Sequence, residues 1–216
     1  MADVIKLSPS KLGSFLQCPA CFWRDYHKKM PPSFPMPGIL IRMDSLTKDY
    51  YDGYRNSLPP SLKGLPETLV DKQTADKIRH WLSYKDPNTN AELRGKMDDC
   101  LINKKGELVP IDNKTASPKE GELLQLYQIQ LDAYAFLLQK NNYKTANYGY
   151  LIYYTADSGT PDKGIIFKTE TRKLELNPNR IPKILSDAAA VLKQSKPPKN
   201  HKDCEMCDWF SHFENE

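Results

Sequence analysis

No run of apolar residues in this chain is long enough to cross a bilayer, and nothing at its N-terminus reads as a signal peptide. Those absences point to a soluble protein in the cytoplasm, where thiols stay reduced, and they argue against disulfides. A large excess of charge of either sign is missing too, since the net charge over 216 residues is only +4. Internal repeats and long low-complexity tracts are missing, and hydrophobic residues make up an ordinary 39%. Length and composition therefore predict one domain over residues 1–216 with a sizeable core. No stretch is left over for an appended domain that would read nucleic-acid sequence.

Cysteine is sparse and unevenly placed. Four of the five form two pairs, Cys18-x-x-Cys21 and Cys204-x-x-Cys207, with Cys100 apart. Two such pairs offer four thiolates at metal-ligand spacing, and soft sulfur selects zinc or an iron–sulfur cluster. A thioredoxin-like role is disfavoured because neither pair sits in a strand-to-helix redox context. Four small buried hydrophobes are the plainer alternative. If the thiolates meet, they staple the two ends of the chain together. Cys100 is expected in the core.

Carboxylates supply the second constellation. Leu93 to Ile102 and Glu107 to Lys114 read as strands around the turn-like Asn103-Lys104-Lys105-Gly106, and a hairpin centred near Lys105 puts Asp98 opposite Asp112. Lys114 shares the face of Asp112, since side chains alternate along a strand. Two carboxylates that close raise one another's pKa unless a divalent cation such as Mg²⁺ or Mn²⁺ sits between them. The plainer alternative is a solvated hairpin face with ordinary cross-strand ion pairs. Against it, Leu108-Val109-Pro110-Ile111 reads as a buried strand, in which the charge of Asp112 needs a partner.

The next segment, Glu122 to Lys140, carries apolar residues at helical spacing. Gln130 and Tyr134 are four apart on one face, where an amide and a phenol could hydrogen-bond a phosphate.

These residues together resemble the PD-(D/E)XK nuclease superfamily, in its RecB-like branch, which includes the exonuclease that processes spacers in CRISPR systems. The resemblance rests on Gly95 with Asp98, Asp112 with Lys114, and the Q-x-x-x-Y pair Gln130 and Tyr134, in order. Ser8-Pro9-Ser10-Lys11-Leu12, Cys18-Pro19 and Phe22-Trp23 look like that branch's N-terminal signature, so the resemblance spans most of the chain. It implies an α/β (α+β) fold with a restriction-endonuclease-like core, a central mixed sheet flanked by helices in the order α-β-β-β-α-β. It also implies one or two Mg²⁺ or Mn²⁺ ions held by Asp98, Asp112 and the backbone carbonyl of Asn113. Lys114 would then position the nucleophile and stabilise charge growing in the transition state, and Gln130 and Tyr134 would contact the phosphate or lie behind the metal, within reach of its bound water. Asp44, from the first helix, is the candidate for a further metal ligand, although Lys48 four residues on could simply pair with it. His80 is a second candidate. In this branch a four-iron, four-sulfur cluster is commonly held by one N-terminal and three C-terminal cysteines. The present two-plus-two division departs from that and leaves zinc open, but the split between the two chain ends resembles the arrangement closely enough to favour the iron–sulfur cluster, with zinc as the alternative.

The pattern predicts a first helix over Gly38 to Arg55, strands near 92–102 and 107–114, a helix over 121–140, and strands over Ala146 to Thr155 and Gly164 to Arg172, the last at an edge. Asn177-Pro178 opens a last helix to about Lys193. Residues 1–37 form an N-terminal segment that includes the stiff Pro31 to Pro37 connector, 38–175 the nuclease core, and 176–216 a C-terminal part.

The function these expectations describe is hydrolysis of phosphodiester bonds by a metal-dependent DNA nuclease in repair, recombination or CRISPR-type defence. An exonuclease or processing enzyme acting on single strands or DNA ends is favoured over a sequence-specific endonuclease. Lys28-Lys29, Lys104-Lys105 and Lys193 through Lys196, Lys199 and Lys202 could meet a nucleic-acid backbone, and tyrosines could stack unpaired bases. Tyr148, Tyr150, Tyr153 and Tyr154 are expected to pack in a sheet instead. The alternative is a non-catalytic nucleic-acid-binding subunit of a larger repair or CRISPR complex with protein partners. A zinc-stapled protein-interaction domain is a third reading.

Overall fold

The structure is a computed structural model that describes residues 4–30, 35–118 and 122–213. Pro31 to Phe34, in the proline-rich connector, lie outside the described residues. The elements are β1 (Ile5–Leu7), α1 (Pro9–Gln17), α2 (Pro19–Tyr26), α3 (Gly38–Asp52), β2 (Thr68–Leu69), α4 (Lys72–Arg79), β3 (Leu82–Lys85), β4 (Ala91–Gly95), β5 (Asp99–Ile102), β6 (Leu108–Lys114), α5 (Glu122–Lys140), β7 (Tyr148–Thr160), β8 (Gly164–Glu175), α6 (Ile181–Leu192) and α7 (Glu205–Phe213). They make a mixed α/β fold whose central mixed sheet is flanked by helices. Its five strands run in the order β2-β5-β6-β7-β8, and a smaller sheet is ordered β1-β4-β3.

The β5–β6 hairpin has the expected register, Asp99 facing Ile111 and Ile102 facing Leu108. Asn103 shapes its turn: the side-chain oxygen accepts from the backbone N–H of Lys105 at 2.9 Å and of Glu107 at 3.0 Å. Gly106 takes the left-handed φ of +73° that follows. Beyond β6 the chain crosses over through α5 and returns as β7 parallel to β6, the connection a parallel pair requires. β8 then pairs antiparallel with β7 and forms the sheet edge.

The expected strand over 92–102 is in fact two strands in two sheets. Met97, 1% exposed, interrupts it: its N–H donates to the carbonyl of Ile78 at 3.1 Å, and its side chain drops into the core. The chain therefore leaves the small sheet after Gly95 and enters the large one at Asp99. Gly95 sits at a close approach between elements. A Cβ there would lie 2.8 Å from Leu137 Cδ1, 3.2 Å from Pro9 Cγ and 3.3 Å from Tyr134 Cε1, so glycine lets α5 pass against β4.

The large sheet has two buried faces. Leu101, Val109, Ile111, Tyr150, Ile152 and Tyr154 pack toward Tyr51 of α3. Cys100, Leu108, Leu151 and Tyr153 join the larger core on the opposite face, with Leu131, Tyr134 and Leu138 of α5. Cys100 is thus a core residue, and the four tyrosines of β7 belong to the sheet.

The C-terminal part departs from expectation at both ends. A short 3-10 turn, Pro178–Arg180, precedes α6, and the Asn177 side chain caps nothing. Its backbone N–H donates to buried Asp132 instead, at 2.9 Å. Nor is α6 the last helix, because α7 carries Cys207 back onto the N-terminal helices.

Candidate active site and thiolate cluster

Alternation along β6 sorts its polar end. Val109 and Ile111 face α3, so Asp112 and Lys114 face α5, while Asn113 returns to the α3 side and accepts from Tyr51 Oη at 3.0 Å. Asp98 lies one step before β5, where the hairpin register brings it opposite Asp112. Its Oδ2 accepts from the Asn113 N–H at 2.8 Å, continuing the ladder with a side chain after β5 has ended. In an extended strand a residue's N–H and C=O project to the same side. The Asn113 carbonyl therefore opens onto the gap beside Asp98.

The two carboxylates are poor neighbours as free anions. Burial, reinforced by the Asp112 charge, pushes Asp98 up to about 7. Burial also raises Asp112, against the pull of the Lys114 ammonium. Asp112 is 2% exposed, and its Oδ2 is paired with the Lys114 ammonium.

Lys114 is held on three sides. Besides Asp112, it donates to Gln130 Oε1 at 3.0 Å and lies 4.4 Å from the centre of the Tyr127 ring. Gln130 Nε2 in turn donates to Tyr134 Oη at 2.9 Å. Tyr134 is 5% exposed, and burial, with Asp112 and Asp98 nearby, keeps its phenol protonated well above the ordinary range. Gln130 thus links the Lys114 ammonium to the Tyr134 hydroxyl through two hydrogen bonds.

A second polar network lies on the other face. Asp99 is fully buried and takes two hydrogen bonds from Arg55, at 2.8 and 2.7 Å, and one from Arg79 at 2.7 Å. Asp52 joins both arginines; burial pushes its carboxyl up, but Arg55 and Arg79 outweigh that and hold it low. Arg79 also donates through Nε to the backbone carbonyl of Asp98 at 3.2 Å. This clamp fixes the peptide carrying Asp98. Sequence reasoning missed it, though the Asp98-Asp99 doublet held the signal: neighbours at a strand end face opposite ways, so two acids need two sets of partners.

The remaining candidates are placed differently. His80 is exposed at the C-cap of α4, and it is the preceding Arg79 that reaches the acids. Asp44 pairs with Lys48 at 2.6 Å, yet it borders the same cleft as Asn113 and Lys114, close enough for its charge to raise Asp98 further. Lys104 and Lys105 occupy the hairpin turn, at the opposite end from Asp98 and Asp112. The cleft, about 380 Å³, is also lined by Met36, Leu40 and Tyr127.

Asp98, Asp112 and the Asn113 carbonyl fit a divalent cation. The observation that decides this is a buried carboxylate beside a half-buried one: burial raises Asp112, and its charge helps push Asp98 toward neutrality. With Asp44 turned to Lys48, the three acids do not converge as a set. Among the described residues only Cys18, Cys21, Cys204 and Cys207 bring three or more ligand atoms within 4.8 Å of one another.

Those cysteines come from two helix starts. Cys18 is the N-cap of α2, where its sulfur accepts from the Cys21 N–H at 3.4 Å, and Cys204 immediately precedes α7. Sulfur separations are 3.4 Å for Cys18–Cys207 and 3.6 Å for both Cys21–Cys204 and Cys21–Cys207, far beyond a disulfide bond. Burial pushes the Cys18 and Cys21 thiols up. At Cys204 burial pulls the same way but is outweighed by the Cys207 N–H and the neighbouring thiols, so Cys204 ionises ahead of those two. Four thiols packed in this way fit a metal.

Comparison with known proteins adds three findings. A family model of the PD-(D/E)XK nuclease superfamily matches residues 52–211. No curated protein matches the chain in sequence. Among solved structures, one titled "Crystal structure of SSO0001" is similar at a TM-score of 0.48 and 16% identity, covering 98% of this chain and 86% of that one.

Proposed function

The chain belongs to the PD-(D/E)XK nuclease superfamily, and from that premise we propose that it is a divalent-metal-dependent DNA nuclease of the RecB-like branch, trimming single strands or DNA ends. The observation that carries the reading is the convergence of Asp98, Asp112, Lys114 and Gln130 at the open end of the β5–β6 hairpin, beside a cleft.

Asp98, Asp112 and the Asn113 carbonyl would hold Mg²⁺ or Mn²⁺. When bound, the ion neutralises phosphate charge and makes water acidic enough to supply the nucleophile. Asn113 keeps Asp98 in place through its N–H, and Arg79 fixes the Asp98 peptide from behind. Lys114, anchored by Gln130 and the Tyr127 ring, presents an ammonium to the negative charge that grows on the phosphorus-bound oxygens. Tyr134, buried and protonated, acts through Gln130 as a positioning residue. The apolar Met36, Leu40 and Tyr127 around the cleft offer surface to an unpaired base, and its size suits one nucleotide better than a duplex. The cysteines serve as a metal joint between the N-terminal and C-terminal segments, filled by zinc or a four-iron, four-sulfur cluster. Activity in repair, recombination or CRISPR-type defence, with partner proteins, is compatible with such a module.

The test is degradation of end-labelled single- and double-stranded DNA with Mn²⁺, Mg²⁺ or EDTA. Cleavage should need the metal and fall at least about 100-fold in Asp112→Ala and Lys114→Ala. A ladder shortening from one end identifies exonucleolytic action. Retained DNA binding without any cleavage would make the protein a non-catalytic nucleic-acid-binding subunit.

A further inference from the structure

The thiolate cluster has a size, and size separates the two metals that four cysteines can hold. A tetrahedral ion with metal–sulfur bonds of about 2.3 Å sets its sulfurs about 3.8 Å apart. A four-iron, four-sulfur cubane binds one thiolate on each iron, which spreads the sulfurs to roughly 6 Å or more. Here the separations are 3.4, 3.6 and 3.6 Å, and all four sulfurs lie within 4.8 Å of one another. We propose that Cys18, Cys21, Cys204 and Cys207 form a mononuclear, tetrahedral zinc site and not an iron–sulfur site. The proposal rests on the reading of these cysteines as a metal joint and narrows it.

The surroundings agree with a closed, structural site. Each C-x-x-C turn aims the backbone N–H of its second cysteine at the sulfur of its first, Cys21 at Cys18 and Cys207 at Cys204. Both turns open a helix, so the positive ends of α2 and α7 meet at the sulfurs. Arg24, 3% exposed, adds a full charge: Nη1 donates to Cys207 Sγ at 3.8 Å, and Nη2 is fixed by Asn200 Oδ1 at 2.8 Å. Zinc with four thiolates carries two negative charges, which these donors offset. An iron–sulfur centre can carry the same charge, so spacing and not charge makes the distinction.

Spreading the sulfurs by roughly 2 Å per pair to admit a cubane would separate α2 from α7. It would also disturb Cys18, Ala20 and Cys207, which are buried against one another at 3%, 0% and 1% exposure. The two-plus-two division is consistent with this, since each C-x-x-C turn supplies one edge of a tetrahedron.

The full chain, purified without oxygen from cells supplied with both iron and zinc, should contain about one zinc per chain by elemental mass spectrometry and be colourless. Exchange with Co²⁺ should give the ligand-field bands of a tetrahedral thiolate site, at about 600–750 nm. About four irons per chain with absorption near 400 nm would overturn the zinc assignment while leaving a metal joint in place. A folded protein with neither metal in stoichiometric amount, and all four thiols open to titration, would overturn the joint itself.

Discussion

Replacing Asp98 with asparagine should stabilise the metal-free protein while removing its capacity to bind the catalytic ion. The carboxyl rises from an ordinary value near 4 to about 7, first through burial and then through the charge of Asp112. A raised acid is linked to pH in the opposite sense from a salt-bridged one. Between about pH 4 and 7 the folded state holds a proton that the unfolded state has released, so stability falls across that window and stays low above it. Three pH units at about 1.4 kcal/mol each cap the effect at about 4 kcal/mol. Asp98 is only half-buried, so solvent screening reduces it to about 1–2 kcal/mol. Asparagine keeps an oxygen for the Asn113 N–H and carries no charge at any pH. In EDTA at pH 8 the variant should therefore melt about 2–8 °C above the native protein, with the gap closing at pH 4. Adding Mn²⁺ should raise the melting temperature of the native protein but not that of Asp98→Asn. An Asp98→Asn protein that melts with or below the native one in EDTA at pH 8 would refute the claim that Asp98 and Asp112 are mutually destabilising.

Three further substitutions probe the supports of the site. Gly95→Ala puts a methyl group 2.8 Å from Leu137 and 3.3 Å from Tyr134, and should cost about 1–3 kcal/mol in chemical denaturation. Arg79→Ala removes one of two arginines on buried Asp99 together with the bond to the Asp98 carbonyl; a loss of about 2–4 kcal/mol is expected, with cleavage impaired even where the protein remains folded. Gln130→Ala frees Lys114 from its amide anchor and should lower kcat about tenfold with little change in KM, whereas an equal change in both would mean that Gln130 binds substrate.

The hairpin, α5 and β7 were legible because their signals are local: a turn sequence at Asn103 to Gly106, helical spacing to Lys140 and a β-branched, aromatic run after Ala146. Counting outward from that turn sufficed to bring Asp98, Asp112 and Lys114 together, and the four-residue interval did the same for Gln130 and Tyr134. What escaped depends on contacts distant in sequence. Met97 reads like any strand residue until the carbonyl of Ile78 and a place in the core draw it out of line. The Asp99 clamp joins residues 20 and 44 positions away, with no periodicity to announce it. Helices α1, α2 and α7 are short and gain their stability from packing, which a propensity argument does not see.

Cys21 and Cys207 stand 186 residues apart. At ordinary rates of translation the first pair waits about 10–40 s for the second to emerge. During that interval the sheet, the hairpin and α5 must assemble with one half of the joint still open, and Cys18 and Cys21 are exposed to any oxidant that would link them to each other. A chain that stalls before residue 204 lacks half of the cluster, and its Cys18 and Cys21 are left without the two sulfurs they would otherwise meet.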